Sequence, residues 1–314
     1  GDDPQALYAQ NHDTGDGSWA NNSTHKQWAW GNGAAMPSKE FVTNFYDRTL
    51  DAINRYNPDL IYFDVTVVPF HDISDCGLKI ASHFYNKNPR AVMFGKILDA
   101  QQRKALTWDV ERGAPNEIIN EPWQTCNCIG GWHYNTSIYE RGAYKSAADV
   151  IKQLVDIVSK NGNLLLSIPL RADGTYDDKE AKVLDGIEEW MNINKESIIG
   201  TRPWVIFGEG PIAQKNIKMN AQGFNDKQYT GMTSADIRFN QTKKYLYATP
   251  LGWPTDGRIV IKSLAKGNRL FRKSITKVEL LGYGSVKAKQ TTEGLEISLP
   301  SPTNAIAPVL KIKK

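Results

Sequence analysis

Residues 56–69 read YNPDLIYFDVTVVP and decide the fold of the first half of the chain. Asn57-Pro58 interrupts a preceding helical pattern, because the residue before a proline is pushed out of the helical region. Residues 60–63 are all apolar, which is typical of a strand buried on both faces of a parallel sheet. A carboxylate, Asp64, follows this strand at once. In α/β barrels the catalytic residues lie at the carboxyl ends of the strands.

The position of Asp64 is compatible with two interpretations. One is catalysis at the rim of a barrel. The other is a carboxylate that caps or hydrogen-bonds the following loop. Position alone does not separate the two.

Outward from this stretch, strands alternate with helices. Strands are predicted at residues 60–63, 90–95, 105–110, 121–126 and 163–169, and helices at 38–56, 75–86, 98–105, 146–160 and 179–194. Such alternation predicts a parallel α/β sheet or barrel. A (β/α)8-like barrel needs eight strands. The chain therefore carries the C-terminal strands only, and we expect the missing N-terminal segment of the barrel to belong to the same molecule.

The sequence pattern changes from alternating strands and helices to short strands at about residue 204. Short strand-like runs are separated by turn signals such as Asp256-Gly257 and Gly267-Asn268. This pattern predicts an antiparallel β-sandwich without an evident catalytic group of its own. We therefore predict two domains, a catalytic barrel portion over residues 1-203 and a C-terminal β-sandwich over residues 204-314.

Composition restricts the classes of function. The 314 residues carry a formal charge of +4 without a block of Lys and Arg, so nucleic acid is not an expected partner, although a polyanionic substrate stays open. An apolar run of membrane-spanning length is absent from the sequence. The three cysteines, Cys76, Cys126 and Cys128, lack the spacing of a zinc site. We expect neither a metal nor another cofactor.

Residues 1–37 form a polar segment with an irregular pattern that is typical of a long loop. Trp19, Trp28 and Trp30 lie in this segment. Flat aromatic rings stack on the apolar faces of sugars, but they also pack against one another as the core of a loop. Both interpretations carry equal weight.

At this point the chain resembles the α-L-fucosidases of glycoside hydrolase family 29. The resemblance covers residues 56–211 and lies in five segments in family order, namely PDLIYFD, WDVERG, PWQTCNCIGGWHYN, NGNLLLSIPLRADGT and ESIIGTRPWVIFGEGP. It implies a barrel followed by a β-sandwich. It also implies that Asp64 is the nucleophile and Glu111 the acid/base. Trp132 falls where the family places an aromatic ring against the fucose methyl group, and Tyr62 lies in the sugar-contacting strand.

Further candidates for sugar contact are His133, Trp30 and Lys96. Arg112 either orients a carboxylate or covers surface. Two departures from the family pattern concern the site. The family's N-terminal half, which supplies histidines for the fucose hydroxyls, is absent from the chain, and Gln124 stands where some members have a glutamate. Glu117 and Glu121 are rival acids, and loop charge exposed to solvent is the better interpretation of both.

The resemblance predicts a retaining exo-glycosidase that removes terminal α-L-fucosyl groups from a fucosylated oligosaccharide or polysaccharide. Two alternatives remain. One is the sister specificity, α-L-galactosidase, which differs at C6 of the sugar. The other is a catalytically inactive carbohydrate-binding relative. A periplasmic or secreted location, or a lysosomal one in a eukaryote, is expected, and a homo-oligomer stays open.

Overall fold

The computed structural model describes residues 39–64, 68–70, 74–215, 217, 219, 223–302 and 306–314. The chain divides into two compact units, residues 1–109 and 110–314. The division falls within the third strand of the parallel sheet. The domain boundary predicted between residues 203 and 204 stays a prediction.

The first unit builds the start of the parallel sheet. Its elements are α1 (Lys39–Tyr56), β1 (Leu60–Tyr62), α2 (Cys76–Lys87), β2 (Val92–Gly95) and the first residues of β3 (Thr107–Glu111). Helix α1 ends where the sequence predicts, because Asn57 takes a left-handed conformation with φ 44° ahead of Pro58. The register is parallel, with Ile61 opposite Met93 and Gly95 opposite Trp108.

The second unit continues the sheet. Its elements are the end of β3, then β4 (Trp123–Cys128), α3 (Thr136–Arg141), α4 (Ala147–Ser159), β5 (Gly162–Ser167) and α5 (Asp178–Asn194). The strand order is β1-β2-β3-β4-β5, which confirms the five predicted parallel strands. All six residues of β4 are buried. Leu60 lies on β1, which is at the end of this strand order among the described residues, and is 50% exposed, as expected for an edge strand.

Helices α4 and α5 begin at reciprocal caps. Ser146 accepts a hydrogen bond from the backbone N–H of Asp149, and the Asp149 carboxylate accepts one from the Ser146 backbone N–H. Asp177 and Glu180 form the same arrangement at the start of α5. These capping boxes satisfy amides that a helix leaves unpaired at its first turn. They explain why both predicted helices form close to the predicted positions.

Several local predictions differ from the structure. The helix predicted at residues 98–105 is a single 3-10 turn, Gln102–Lys104, because the Asp99 carboxylate accepts from the backbone N–H groups of Gln101 and Gln102 and favours a turn. Helix α3 is not in the prediction. Its N-cap is Asn135, whose side chain accepts a hydrogen bond from the Ser137 N–H, and its C-cap is Gly142 with φ 60°.

An eight-stranded antiparallel sheet follows. Its strands are β6 (Arg202–Glu209), β7 (Ile237–Gln241), β8 (Tyr245–Pro250), β9 (Arg258–Ile261), β10 (Val278–Leu280), β11 (Gly284–Gln290), β12 (Leu295–Ser298) and β13 (Leu310–Lys313). Their order is β6-β7-β8-β13-β10-β11-β12-β9. Inward-facing residues from both ends of this order, Trp204 of β6 and Ile261 of β9, share one apolar core. The predicted β-sandwich is therefore confirmed, with β6 and β11 added to the predicted strands.

A fully buried charge cluster links α4 to the β-sandwich. The Asp156 carboxylate lies 2.5 Å from Arg238 Nε on β7 and 2.8 Å from Lys160 Nζ. The Tyr229 hydroxyl donates to the same carboxylate at 3.2 Å. Both cations also lie near the ring of Phe207, at 4.8 Å for Lys160 and 5.4 Å for Arg238. Helix and sheet therefore meet through one anion with three donors.

Burial governs how these groups titrate. Burial raises the pKa of Asp156, but the charges of Lys160 and Arg238 outweigh it and leave this pKa below its usual value. Burial lowers the pKa of Lys160 against the opposing charge of Asp156. The pKa of Tyr229 is raised well above its usual value by burial and by the Asp156 charge, so the phenol stays a donor.

Replacing Asp156 by Asn should destabilise the protein by about 3–5 kcal/mol, because two buried cations then lack their anion. Thermal and urea unfolding of the full-length protein would measure this loss. The matched control is Asp51→Asn, which removes an exposed ion pair with Arg55 and should move the unfolding midpoint little. Replacing the cluster as a whole (D156L, K160M and R238M together) should recover most of the loss. A midpoint for Asp156→Asn equal to that of the control would contradict this account.

Candidate functional site

Asp64, Tyr62 and Lys96 come together in the first unit at the carboxyl ends of β1 and β2. The Lys96 ammonium lies 2.6 Å from Asp64 Oδ1. The Lys96 side chain is 8% exposed, whereas the Asp64 side chain is 71% exposed. A buried cation thus holds an exposed carboxylate at the rim of the parallel sheet.

The Tyr62 hydroxyl completes this arrangement. It lies 3.3 Å from Asp64 Oδ1 and 2.9 Å from Oδ2 of Asp109, a fully buried residue of β3. Because Lys96 and Tyr62 both reach Oδ1 of Asp64, Oδ2 is the oxygen that the site presents to a ligand. An oriented carboxylate with one presented oxygen can act as a nucleophile or can bind a polar ligand.

Asp109 is a site residue that the sequence analysis missed. It lies two residues before Glu111 on the same strand, so the two side chains leave β3 on the same face. Asp109 is 0% exposed. The signal was present in the sequence, because a charged residue inside a buried strand is retained only when it is paired.

Glu111 ends β3 in the second unit and is partly exposed. Its backbone is held by a segment that lies far along the chain, residues 223–226. The Phe224 N–H donates to the Glu111 carbonyl at 2.7 Å, and Glu111 forms an isolated parallel bridge with Gly223. On the other side, the Arg112 N–H donates to the Cys126 carbonyl of β4 at 2.9 Å. The backbone at Glu111 is therefore fixed from two directions.

Asn225 extends this contact to the loop after β3. Its side chain accepts from the Ala114 N–H at 2.9 Å and donates to the Ala114 carbonyl at 3.0 Å. Gly113 has no room for a side chain, because a Cβ there would overlap the Asn225 carboxamide. Asn225 thus satisfies both polar groups of a buried residue and requires glycine beside it.

Asp226 adds a charged contact at the same place. Its N–H donates to the Arg112 carbonyl at 3.0 Å, and its Oδ2 lies 3.3 Å from Arg112 Nε and 3.6 Å from Lys145 Nζ. Lys145 also donates to Asn127 Oδ1 and the Cys128 carbonyl, each at 2.7 Å. Burial lowers the pKa of Lys145, and the charge of Asp226 opposes that shift. Arg112 pairs with Asp226, which is neither of the two candidate catalytic carboxylates, so both interpretations of Arg112 stay predictions.

Aromatic side chains near these loops offer stacking surface. Trp132 is 42% exposed and follows β4, and His133 next to it is also exposed. Phe224 is 44% exposed, and the guanidinium of Arg112 lies 6.0 Å from its ring centroid. Phe224 is not recognisable from the sequence, because nothing in its local pattern shows that residue 224 approaches residue 111.

Other candidates fall away from these contacts or outside the described residues. Glu117 and Glu121 are exposed, as expected for loop charges. Trp30, with Trp19 and Trp28, lies outside the described residues.

Among the residues that the structure describes, no group of three or more His, Cys, Asp or Glu could hold a metal ion. All three cysteines are buried and free, and burial raises the pKa of Cys76 to about 11. No helix in the described ranges is long and apolar enough to span a bilayer.

Comparison with known proteins gives a consistent result over most of the chain. A family model described as alpha-L-fucosidase matches residues 6–196, and one described as alpha-L-fucosidase C-terminal domain matches residues 230–313. The alpha-L-fucosidase of Dictyostelium discoideum is 28% identical over 59% of this chain and 33% of its own length. The tissue alpha-L-fucosidase of Rattus norvegicus is 24% identical over 87% of this chain and 55% of its own length.

A solved structure shows the same fold. The alpha-fucosidase of Thermotoga maritima in complex with fucose superposes with a TM-score of 0.65 at 23% identity, over 88% of this chain and 57% of that one. The same protein has been solved with a mechanism-based inhibitor. The chain spans between a third and about half of the length of the curated relatives described above.

Replacing Asn225 by Ala should loosen the loop that follows Glu111. The change leaves the buried N–H and carbonyl of Ala114 without the partners that Asn225 provides, at a cost of about 1–3 kcal/mol. Hydrogen exchange followed by mass spectrometry should show faster exchange of the peptides around residue 114, together with a lower unfolding temperature.

The control variant is Asn86→Ala, which removes an exposed asparagine whose side chain makes a 3.5 Å hydrogen bond to Ser82 in α2. It should leave exchange around residue 114 unchanged. Equal protection of residue 114 in the Asn225→Ala protein and the wild type would show that the segment 223–226 does not hold this loop.

Proposed function

Because the chain belongs to the alpha-L-fucosidase family, we propose that the protein is a retaining exo-glycosidase that hydrolyses terminal α-L-fucosyl linkages of fucosylated glycans. In this proposal Asp64 is the nucleophile and Glu111 the acid/base. The observation that carries it is the carboxylate of Asp64, exposed at the end of a parallel strand with one oxygen held by Lys96 and the other presented. The shared fold of the Thermotoga maritima alpha-fucosidase, which was solved in complex with fucose, supports a fucosyl group as the part of the substrate that is recognised.

Retention requires two displacement steps. In the first, Asp64 Oδ2 attacks the anomeric carbon while Glu111 gives its proton to the glycosidic oxygen, so the C–O bond breaks and the aglycone leaves as an alcohol. In the second, Glu111 takes a proton from water, and the resulting nucleophile breaks the ester to Asp64. The sugar leaves with its original anomeric configuration, and both carboxyl groups return to their starting states.

Lys96 and Tyr62 orient the carboxylate of Asp64 for the first displacement. The ammonium of Lys96 lies against Oδ1 and fixes the carboxylate plane, and Tyr62 donates toward the same oxygen. A nucleophile that is already oriented loses less entropy on reaching the transition state. Oδ2 of Asp109 lies 2.9 Å from the Tyr62 hydroxyl, nearer than Asp64 Oδ1 at 3.3 Å, so the two carboxylates share the one phenol proton and Tyr62 keeps one position.

Trp132, His133 and Trp30 are proposed to contact the sugar, with Trp132 against the C6 methyl group. The exposed ring of Trp132 supports this role, since stacking needs a free face. An α-L-galactoside carries a hydroxyl at C6, which an apolar wall does not satisfy. Comparing kcat/KM on aryl α-L-fucoside and aryl α-L-galactoside therefore tests the sister specificity directly. We also propose a periplasmic, secreted or lysosomal location, where fucosylated glycans are reached.

Replacing Asp64 by Ala in the full-length protein should lower kcat on an aryl α-L-fucoside roughly 10³-fold or more, because no covalent intermediate can form. Azide should then attack the substrate directly and give the β-L-fucosyl azide, with inverted configuration. The control is Asp185→Ala, which removes an exposed carboxylate of α5. Near-normal turnover by the folded Asp64→Ala protein would remove Asp64 from the mechanism.

Replacing Glu111 by Gln should slow hydrolysis of substrates with poor leaving groups far more than that of a dinitrophenyl fucoside, which departs without a proton. Azide should rescue turnover and give the α-L-fucosyl azide, because it attacks the ester from the face that the aglycone left. The opposite stereochemistry of the two azide products separates nucleophile from acid/base.

The matched controls for this test are Glu117→Gln and Glu121→Gln. Both should behave as the wild type. If one of them shows azide rescue and Glu111→Gln does not, the acid/base lies at that residue instead.

A further inference from the structure

Positive charge is concentrated in one part of the β-sandwich. Residues 258–290 contain nine Lys and Arg residues and a single acidic residue, Glu279, whereas the whole chain has a formal charge of +4. All nine basic side chains belong to exposed residues. Lys277 pairs with Glu279 at 2.5 Å. Within the described part of the chain, the other eight form no ion pair with an acidic side chain.

Three of these cations line one groove on the outer face of the sheet. Strands β9, β12 and β11 are neighbours, and their inward residues fill the core, so the alternate residues face outward. Lys287 lies opposite Ser298, which in turn lies opposite Arg258. In the next row, Lys289 lies opposite Glu296. Together these residues line a groove of about 570 Å³.

The basic loop between β9 and β10 is fastened to the end of β11 by hydrogen bonds. Gln290, at the end of β11, donates to the Leu264 carbonyl at 3.0 Å and accepts from the Ile275 N–H at 3.0 Å. The Lys266 N–H donates to the Thr291 carbonyl at 2.7 Å. Gln290 lies opposite the buried Leu295, so it faces inward and the loop is held on the inward side of β11. We call the outer face of β9, β12 and β11, which carries the groove, the basic sheet face.

The pattern of groups on the basic sheet face favours one kind of polyanion. A hydroxyl, Ser298, separates the cations of one row, and a carboxylate, Glu296, lies beside the cation of the other. A nucleic-acid backbone carries a charge at every phosphate and would meet Glu296 with repulsion. A polysaccharide with separate sulfate esters can place sulfates on Lys287 and Arg258 and donate its remaining hydroxyls to Glu296.

We propose that the basic sheet face binds a sulfated polysaccharide and so holds a polymeric substrate on the protein, apart from the residues proposed for catalysis. The choice of a glycan among polyanions rests on the proposed function. Affinity would come from release of counterions condensed on the polymer, with specificity from the alternation of cations and hydrogen-bonding groups. Binding at this face would raise the local concentration of chain ends for an exo-acting enzyme.

The test compares the full-length protein with a triple variant, R258Q, K287Q and K289Q, in binding to a sulfated fucan at several salt concentrations. We expect affinity near 0.15 M salt to fall about tenfold or more. We also expect the slope of log affinity against log salt to fall by about two, at roughly 0.7 per lost charge contact. The matched control is K182Q, K195Q and K243Q, which removes the same charge from exposed positions outside the basic sheet face.

Several results would overturn the proposal. They are equal weakening by the control variant, equal binding of the chemically desulfated fucan, or tighter binding of a DNA duplex of similar length. Turnover of a small aryl fucoside separates the two claims. If the triple variant keeps that turnover and loses polymer binding, both stand. If the wild type binds the polymer and hydrolyses no fucoside, the proposed function fails and the binding surface stands.

Discussion

The second unit depends on the buried carboxylate of Asp156. Helix α4 carries it against the parallel sheet, and β7 and the turn containing Tyr229 supply Arg238 and the phenol that bind it. A buried anion with three donors has a single good geometry, because any shift leaves a charge without a partner. The sandwich can therefore pack on α4 in one register. The turn Asp226–Gly231, which contains Tyr229, is fixed by the same contact.

That constraint reaches the site through the residues just before the turn. Residues 223–226 lead into the anchored turn. They lie beside the end of β3, where they bind the backbone of Glu111 and the loop after it. The two candidate carboxylates are thus held by different means. Asp64 is oriented by side chains, Lys96 and Tyr62, whereas Glu111 is positioned through its main chain. Side-chain contacts fix the orientation of one oxygen of Asp64, and main-chain contacts fix the point from which the Glu111 side chain extends.

The sequence alone predicts the features that depend on residues close together in the chain. Local patterns are sufficient for the strand that precedes Asp64, for the helices at 146–160 and 179–194, and for the five parallel strands. They are sufficient because periodicity and capping chemistry act over a few residues. They do not show that Asn225 fills the space beside Gly113, since those residues are more than a hundred positions apart. Asp109 is intermediate, because its burial follows from the strand pattern and its partner, Tyr62, does not.

The contact between Asn225 and the loop at Gly113 has an evolutionary consequence. Residues 223–226 lie in the stretch between the two segments that match the family models, 6–196 and 230–313. Recombination that exchanged the C-terminal module together with this connecting stretch would bring in foreign partners for the Glu111 backbone. The stretch that connects the two matched segments and the loop after β3 should therefore be inherited as one unit, while the outer strands of the sandwich are free to diverge.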